Sequence, residues 1–203
     1  MSHSIVLSAC YLPPISYFHA ISKCEGDILL DKYEHFPKQT YRNRAKISTA
    51  NGILDLIVPI QHGRKEHIAM KDVKINYDHD WQRLHWLSLQ TAYRSSAYFE
   101  FYENEFYSFY EKKYDFLFDY NVEQTALILK CLKIKKSINF TDKYESTYDE
   151  TLDLRSSIHP KKDSILVDAK PYYQIFEDRN GFLPDLSVID LIFNQGPQSK
   201  SYL

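Results

Sequence analysis

The apolar positions near the start of the chain fall first in a short run and then at helical spacing. Residues 4–9 form an apolar run that predicts a strand. Pro13 and Pro14 turn the chain, and apolar residues recur at helical spacing from Ile15 onward. A second apolar run, at 27–31, predicts another strand. This order predicts a β-α-β-like unit, in which the two strands are expected to pair in parallel.

The following segment has the pattern of a β-hairpin. Two strand-like stretches, at 40–47 and 53–60, flank the dipeptide Asn51-Gly52. Asn-Gly is a strong signal for a tight turn between antiparallel strands. We therefore expect these two stretches to pair with each other.

Three helices are predicted in the middle of the chain. Apolar residues keep helical spacing over 80–94 and again over 100–118, where phenylalanines and tyrosines dominate. A third helix is expected to start at Asn121, because Asn121 and Gln124 resemble a capping box. Aromatic residues at this spacing usually belong to a protein core, so packing is the favoured interpretation over a carbohydrate-binding surface.

The last part of the chain is more polar. Residues 141–164 show no strong period and predict a linker or a long excursion, and short strands are possible at 165–167 and 172–176. A compact helix at 187–194 is expected to end at Gly196-Pro197. The pattern as a whole predicts an α/β fold with a mixed sheet and a bundle of about three helices, with α+β as the alternative. A single domain is expected over 1–203.

Composition and charge exclude several classes of protein. The chain has 25 basic and 27 acidic residues and a net charge of −2, and its pI of about 6.4 argues against a nucleic-acid partner. No apolar run approaches the roughly 18 residues of a membrane-spanning helix. The 3 cysteines show no framework spacing, so reduced thiols in a cytoplasmic protein are expected.

Known cofactor and metal motifs are also missing from the sequence. Its 5 glycines form neither of the glycine-rich phosphate-binding motifs. No pair of its 8 histidines has the i, i+4 spacing of helical metal ligands. We therefore predict neither a cofactor nor a metal.

A cluster of cations is the most distinctive chemical feature. If residues 38–46 form a strand, Lys38, Arg42, Arg44 and Lys46 share one face. Two arginines suit a bidentate anionic ligand such as a phosphate or a carboxylate. The alternative is a solvated edge strand, or pairing of these cations with the nearby Asp31 and Glu34.

His85 is the most interesting histidine, because it neighbours Trp86 on a predicted amphipathic helix. Its pKa could be tuned toward neutrality there, as a general base requires. The alternative is a histidine that is simply hydrogen-bonded within a helical bundle.

Several sequence blocks resemble the WbqC-like proteins of bacteria, in particular the short version found in Bacteroidetes-type genomes. The most specific block is Lys38-Gln-Thr-Tyr-Arg-Asn-Arg44, and the others cover most of the chain. Those others are 9–18, Asn51-Gly52, 58–60, Trp81-Gln82, His85-Trp86, 92–95, Tyr98-Phe99 and 184–197. Longer relatives open with Gln-Pro where this chain has Ala9-Cys10, so a role of that glutamine does not carry over.

The resemblance implies a role in surface polysaccharide and O-antigen biosynthesis. Two functions stay open: transfer of an acyl or aminoacyl group to an activated sugar, or non-enzymatic binding and assembly within the pathway. The implied partners are an anionic small molecule, either a nucleotide sugar or an acyl donor, and enzymes of the pathway. His85 becomes a candidate base. The matching positions for substrate binding are Lys38, Tyr41, Arg42, Asn43, Arg44, Tyr93 and Asp190.

Overall fold

Two separate β-sheets carry the strands of the protein, in a computed structural model that describes residues 4–61, 67–148, 151–166 and 169–203. One sheet has four strands and the other is a two-stranded hairpin. In chain order the strands are β1 (Ser4–Leu7), β2 (Ile28–Leu30), β3 (Arg44–Thr49), β4 (Gly52–Ile57), β5 (Ile138–Phe140) and β6 (Thr151–Asp153).

The four-stranded sheet is parallel throughout and has the order β5-β2-β1-β6. β1 and β2 pair in parallel and are connected by the first helix, as the β-α-β-like pattern predicts. β1 lies between β2 and β6 and is almost completely buried, because both of its edges are paired. The α/β class is confirmed, with the parallel and antiparallel pairs in two different sheets.

The hairpin forms where the sequence predicts it, with Thr49 opposite Gly52. Gly52 has a φ of 102°, which favours glycine at this turn. The first strand, predicted over 40–47, begins only at Arg44, so the condition that residues 38–46 form a strand is not met. Gln39 has a φ of 61°, so the backbone before Arg44 turns and the alternating face of cations does not form.

The helices of the middle segment pack side by side and cover the sheets. The helix predicted over 100–118 ends at Glu111, where Lys112 adopts an extended conformation. The next helix starts four residues before the predicted Asn121 start, and Asn121 is buried within it. The helices are α1 (Ile15–Lys23), α2 (Trp81–Tyr93), α3 (Phe99–Glu111), α4 (Leu117–Cys131), α5 (Glu177–Asn180) and α6 (Val188–Gln195).

Aromatic rings fill the core between α2, α3 and α6. Phe193 lies edge-to-face against both Phe99 and Phe106, with ring centroids 5.1 and 5.3 Å apart. Phe193 also packs against Tyr93, with centroids 5.4 Å apart. These rings are buried, so the aromatic pattern here belongs to the core, as expected from its helical spacing.

The polar excursion at 141–164 contains a strand that the sequence pattern does not predict. β6 lies within it and pairs with β1. The strand predicted at 172–176 is wrong, since this stretch is irregular and ends in a turn. Val167, the last residue of the strand predicted at 165–167, lies outside the described residues. In the part of the chain that the structure describes, no helix has the length and apolar character needed to cross a membrane.

Candidate functional site

The four parallel strands end at one edge of the sheet, and polar residues follow three of them directly. Ser8 follows β1, Asp31 follows β2 and Thr141 follows β5, while Arg155 lies two residues beyond β6. Thr141 Oγ1 donates to Asp31 Oδ1 at 3.0 Å, and Arg155 Nη1 donates to Asp31 Oδ2 at 2.6 Å. The carboxyl ends of β2, β5 and β6 are therefore tied to one buried carboxylate.

A second buried carboxylate, Glu34, lies next to this cluster. The Asp31 carboxylate accepts hydrogen bonds from the backbone N–H groups of Tyr33 and Glu34, which forms the turn that places Glu34. Glu34 receives two hydrogen bonds from Arg42, from Nε at 2.8 Å and from Nη2 at 2.5 Å. Ser8 Oγ donates a third, at 3.1 Å. This geometry is a bidentate ion pair of the stronger kind.

Burial and charge act in opposite directions on this pair. Burial raises the pKa of Glu34, and the contacts with Arg42 and Ser8 oppose that rise. Burial alone would lower the pKa of Arg42, but its hydrogen bonds and charge attraction to Glu34 raise it. The pair is thus held in its charged form inside the protein, where each ion depends on the other for stabilisation.

Arg155 links buried Asp31 to the partly exposed Asp153. Its guanidinium contacts Asp31 and also Asp153, at 2.5 Å from Nη2 to Asp153 Oδ2. Burial works against ionisation of Asp153, but the hydrogen bonds from Arg155 lower the pKa of that carboxyl. Arg155 also lies over the ring of Tyr148, 4.8 Å from its centroid. The Arg155 guanidinium is therefore held in place by two carboxylates and one aromatic ring.

These residues line an open cleft of about 260 Å³ at the carboxyl edge of the sheet. We call it the charged cleft. At its mouth the His35 ring stacks on Tyr144, with centroids 5.6 Å apart and an interplanar angle of 6°. The lining residues are Glu34, His35, Arg42, Tyr144, Ser146, Asp153, Arg155 and Ser156.

Of the predicted cation cluster, only Arg42 lies in the charged cleft, and it pairs with Glu34 as the alternative interpretation expected. Lys38 is exposed on the turn before it. Lys46 donates to the carbonyl of Pro160 at 3.2 Å. Arg44 is half-buried, and within the described residues its Nε has no hydrogen-bond partner.

Tyr41 and Asn43 flank Arg42 and fix the backbone around it. The carbonyl of Tyr41 accepts from the backbone N–H of Tyr11 at 2.9 Å. Asn43 Nδ2 donates to the carbonyl of Val58 at 3.0 Å, and the backbone of the same two residues is also hydrogen-bonded. Burial raises the pKa of Tyr41, with Asp185 as the next contribution. Both side chains are buried here, while their role in substrate binding stays a prediction.

His85 lies in the core between helices. Its Nδ1 is 2.9 Å from the hydroxyl of Tyr11, which is itself 2.9 Å from the hydroxyl of Tyr110. Burial lowers the pKa of His85 to about 4, and a hydrogen bond to the backbone of Ile57 opposes that shift. The neutral ring therefore donates to Ile57 and accepts from Tyr11. No contact in the described residues joins His85 to the charged cleft.

Acid is expected to destabilise the protein through His85. Its pKa is 6.5 when exposed and about 4 when folded, so unfolded chains bind the proton more readily. The contribution of neutral His85 to the free energy of unfolding is complete above pH 6.5. The free energy of unfolding falls by about 3 kcal/mol as the pH drops toward 4. Urea unfolding at a series of pH values checks this. His85→Asn should flatten the slope over this window, whereas exposed His79→Asn should keep it. Equal slopes in wild type and His85→Asn would contradict the assignment.

Tyr93 and Asp190 form a separate buried network. The Asp190 carboxylate accepts hydrogen bonds from Tyr93 at 2.9 Å, Tyr172 at 2.6 Å and Gln174 at 3.1 Å. Burial raises the pKa of Asp190, and these hydrogen bonds oppose the rise. The network joins α2, α6 and the irregular segment before α5. Neither residue lines the charged cleft, so their proposed contact with substrate stays a prediction.

From the sequence, Asp31 and Glu34 are predicted only as partners of the cations, and Arg155 and Asp153 are not predicted at all. A signal was available in the polar residues that follow each short apolar run. That signal can be recognised only if β5 and β6 are first predicted as strands. Each has three residues, which is too short for a pattern to predict a strand. Among the described residues, no group of three or more His, Cys, Asp or Glu side chains is arranged to hold a metal ion.

Comparisons with known proteins give a family but no activity. A family model described as WbqC-like protein family matches residues 9–164. The chain is also 24% identical over 228 residues to the uncharacterized protein Rv1507c of Mycobacterium tuberculosis (strain ATCC 25618 / H37Rv). That alignment covers 100% of this chain and 98% of the relative. No solved structure matches.

Proposed function

Because the chain belongs to the WbqC-like protein family, we propose that it acts in bacterial surface polysaccharide and O-antigen biosynthesis. The proposed reaction is transfer of an acyl or aminoacyl group to an activated sugar that binds in the charged cleft. The proposal includes a cytoplasmic location and contacts with other enzymes of the pathway.

The position of the charged cleft carries this proposal. Open parallel sheets with helical crossovers bind their ligands beyond the carboxyl ends of the strands, where connections leave in opposite directions. Here β1 is flanked by β2 on one side and β6 on the other, so its carboxyl end lies at such a point. Ser8, at the end of β1, is hydrogen-bonded to Glu34 in the cleft wall.

The chemistry of the cleft suits a sugar with a phosphorylated leaving group or carrier. Asp153, which also accepts from Arg155, offers its remaining lone pairs to sugar hydroxyls, and Ser156 offers a hydroxyl. Half-exposed Tyr144 offers the part of its ring that His35 and Arg155 leave accessible. Lys162 does not line the cleft, but its Nζ donates to the carbonyl of the lining residue Ser156 at 2.9 Å. We propose that this ammonium contacts the phosphate. Arg42 is engaged with Glu34, so its part is to position the cleft wall.

The reaction needs a base at the cleft. The sugar hydroxyl or amine attacks the acyl carbonyl carbon, a new ester or amide bond forms, and the bond from that carbon to the donor's carrier breaks. The proton lost by the attacking group passes to the base and then to the departing carrier. His35 is exposed and lines the cleft, whereas His85 lies in the core. We therefore assign the base to His35.

A matched pair of histidine variants tests the proposal. The purified protein is incubated with UDP-, GDP- or dTDP-linked hexoses and either acetyl-coenzyme A or an aminoacyl adenylate, and the sugar's mass is followed by mass spectrometry. Wild type should add one acyl or aminoacyl group. His35→Gln should lower kcat by at least about 100-fold, and His85→Asn should lower it much less at neutral pH.

Two results would overturn parts of this account. Loss of turnover in His85→Asn with full turnover in His35→Gln would return the base to the residue predicted from the sequence. No turnover with any donor, in a protein that instead forms a stable complex with a polysaccharide-pathway enzyme, would establish the non-enzymatic alternative.

A further inference from the structure

A long apolar groove runs between the tip of the hairpin and α2, away from the charged cleft. Its volume is about 620 Å³, within the range of small-molecule sites. Its apolar lining residues are Ile53 and Leu54 of β4, Leu84 and Leu87 of α2, and Phe176. The groove and the charged cleft share no lining residue.

The apolar side chains of this groove are unusually exposed. Leu84 and Ile53 each keep 53% of their surface accessible, and Leu87 keeps 44%. The described residues that line the groove include no ionisable side chain. Exposed apolar surface of this extent costs free energy unless a ligand or partner covers it. An uncharged wall selects a hydrocarbon chain rather than a charged peptide.

The groove opens into a second, polar depression at the junction of α2 and α3. Leu87 and Thr91 line both, so the two form one continuous surface. The polar part has a volume of about 320 Å³ and is lined by Arg94 and by two carboxylates, Glu100 and Glu103. Glu103 accepts from Gln90 Nε2 at 3.2 Å, whereas no carboxylate of the described residues pairs with the Arg94 guanidinium. One cation and two carboxylates therefore line the same space.

The apolar groove and the polar depression beside it together favour an amphipathic ligand. The guanidinium donates hydrogen bonds and the carboxylates accept them, and the excess of carboxylates disfavours an anionic head group. A head group rich in hydroxyls satisfies both, because each hydroxyl donates and accepts. We propose that this surface binds a single hydrocarbon chain with a sugar head group, with the chain in the apolar groove and the head beside Arg94. This binding site is independent of the activity proposed for the charged cleft.

Calorimetric titration with n-dodecyl-β-D-maltoside below its critical micelle concentration tests the site. Wild type should bind the maltoside at least about fivefold more tightly than dodecylphosphocholine, and maltose alone should not bind measurably. Leu87→Gln should weaken maltoside binding about tenfold by removing apolar contact area. Phe101→Gln is the matched control, since Phe101 is 68% exposed on the neighbouring α3.

Head-group recognition has its own variant. Arg94→Gln combined with Glu100→Gln should abolish the preference for the maltoside over the phosphocholine while the chain still binds. Equal binding of both amphiphiles by wild type, or an equal effect of Leu87→Gln and Phe101→Gln, would overturn the proposal. A wild-type dimer that Leu87→Gln converts to a monomer in analytical ultracentrifugation would also overturn it, because a second copy would then cover the groove.

Discussion

Replacing Arg42 with methionine should lower the free energy of unfolding by about 3–5 kcal/mol, because Glu34 would be left buried without its cation. The pair is almost inaccessible, with side-chain exposures of 7% for Arg42 and 6% for Glu34. Urea unfolding followed by circular dichroism measures the change.

The double variant Glu34→Leu/Arg42→Met distinguishes the cost of one unpaired buried charge from the cost of losing the whole ion pair. Removing both charges avoids the unpaired ion, so the double variant should be within about 2 kcal/mol of wild type. Arg83→Met is the control, since Arg83 and Asp80 form an ion pair with exposures of 64% and 67%. That variant should change stability by less than about 1 kcal/mol. An Arg42→Met effect as small as the Arg83→Met effect would contradict the buried ion pair.

The second large effect is expected at Asp190. Asp190→Ala removes the acceptor that Tyr93, Tyr172 and Gln174 share. It leaves the two buried tyrosine hydroxyls without an acceptor, while Gln174 Nε2 keeps Tyr172 and the carbonyl of Leu183. The expected loss is about 3–5 kcal/mol. Asp190→Asn keeps one acceptor oxygen for Tyr172 and should cost less than half as much. The same urea unfolding experiment measures both.

Controls distinguish this network from general sensitivity to aspartate loss. Exposed Asp142→Ala should change stability by no more than about 0.5 kcal/mol. Tyr93→Phe removes one of the three donors and should cost about 1–2 kcal/mol. Equal effects of Asp190→Ala and Asp142→Ala would show that the network does not stabilise the fold.

Local sequence patterns predict the elements of this fold that depend on residues close together in the chain. The hairpin follows from Asn51-Gly52, and the parallel β1–β2 pair follows from strand, helix and strand in order. β6 could not be predicted in this way. Thr151-Leu-Asp153 has no period of its own, and it becomes a strand because β1 offers an unpaired edge about 145 residues earlier in the chain.

Tertiary contacts account for the two main errors. Asn121 and Gln124 have the spacing of a capping box, but Asn121 donates to the carbonyls of Ala9 and Arg42, and Gln124 accepts from the backbone of Leu12. Their side chains thus serve the core instead of a helix start. The alternating cations from Lys38 fail for a similar reason, since Arg42 turns inward to Glu34. The partners of Asn121 and Gln124 are not visible from the spacing of the residues, whereas Glu34 is named from the sequence as an alternative partner of the cations.

The candidate site could be predicted only in part. The sequence blocks point to Arg42, and the structure adds Glu34, Asp153 and Arg155 around it. Arg155 is 113 residues from Arg42 along the chain, and its carbonyl accepts from Arg42 Nη2 at 3.4 Å. Proximity of this kind depends on the order of strands in the sheet, which periodicity does not encode.

A crystal structure of the protein with UDP-glucose would locate the sugar site. We expect the hexose in the charged cleft, with its ring against Tyr144, a hydroxyl on Asp153 and the diphosphate toward Lys162. Tyr144→Ala should weaken UDP-glucose binding in solution by about 2- to 10-fold, and Tyr173→Ala, at an exposed tyrosine outside the cleft, should not. An ordered hexose bound anywhere else, with the charged cleft empty, would contradict the account.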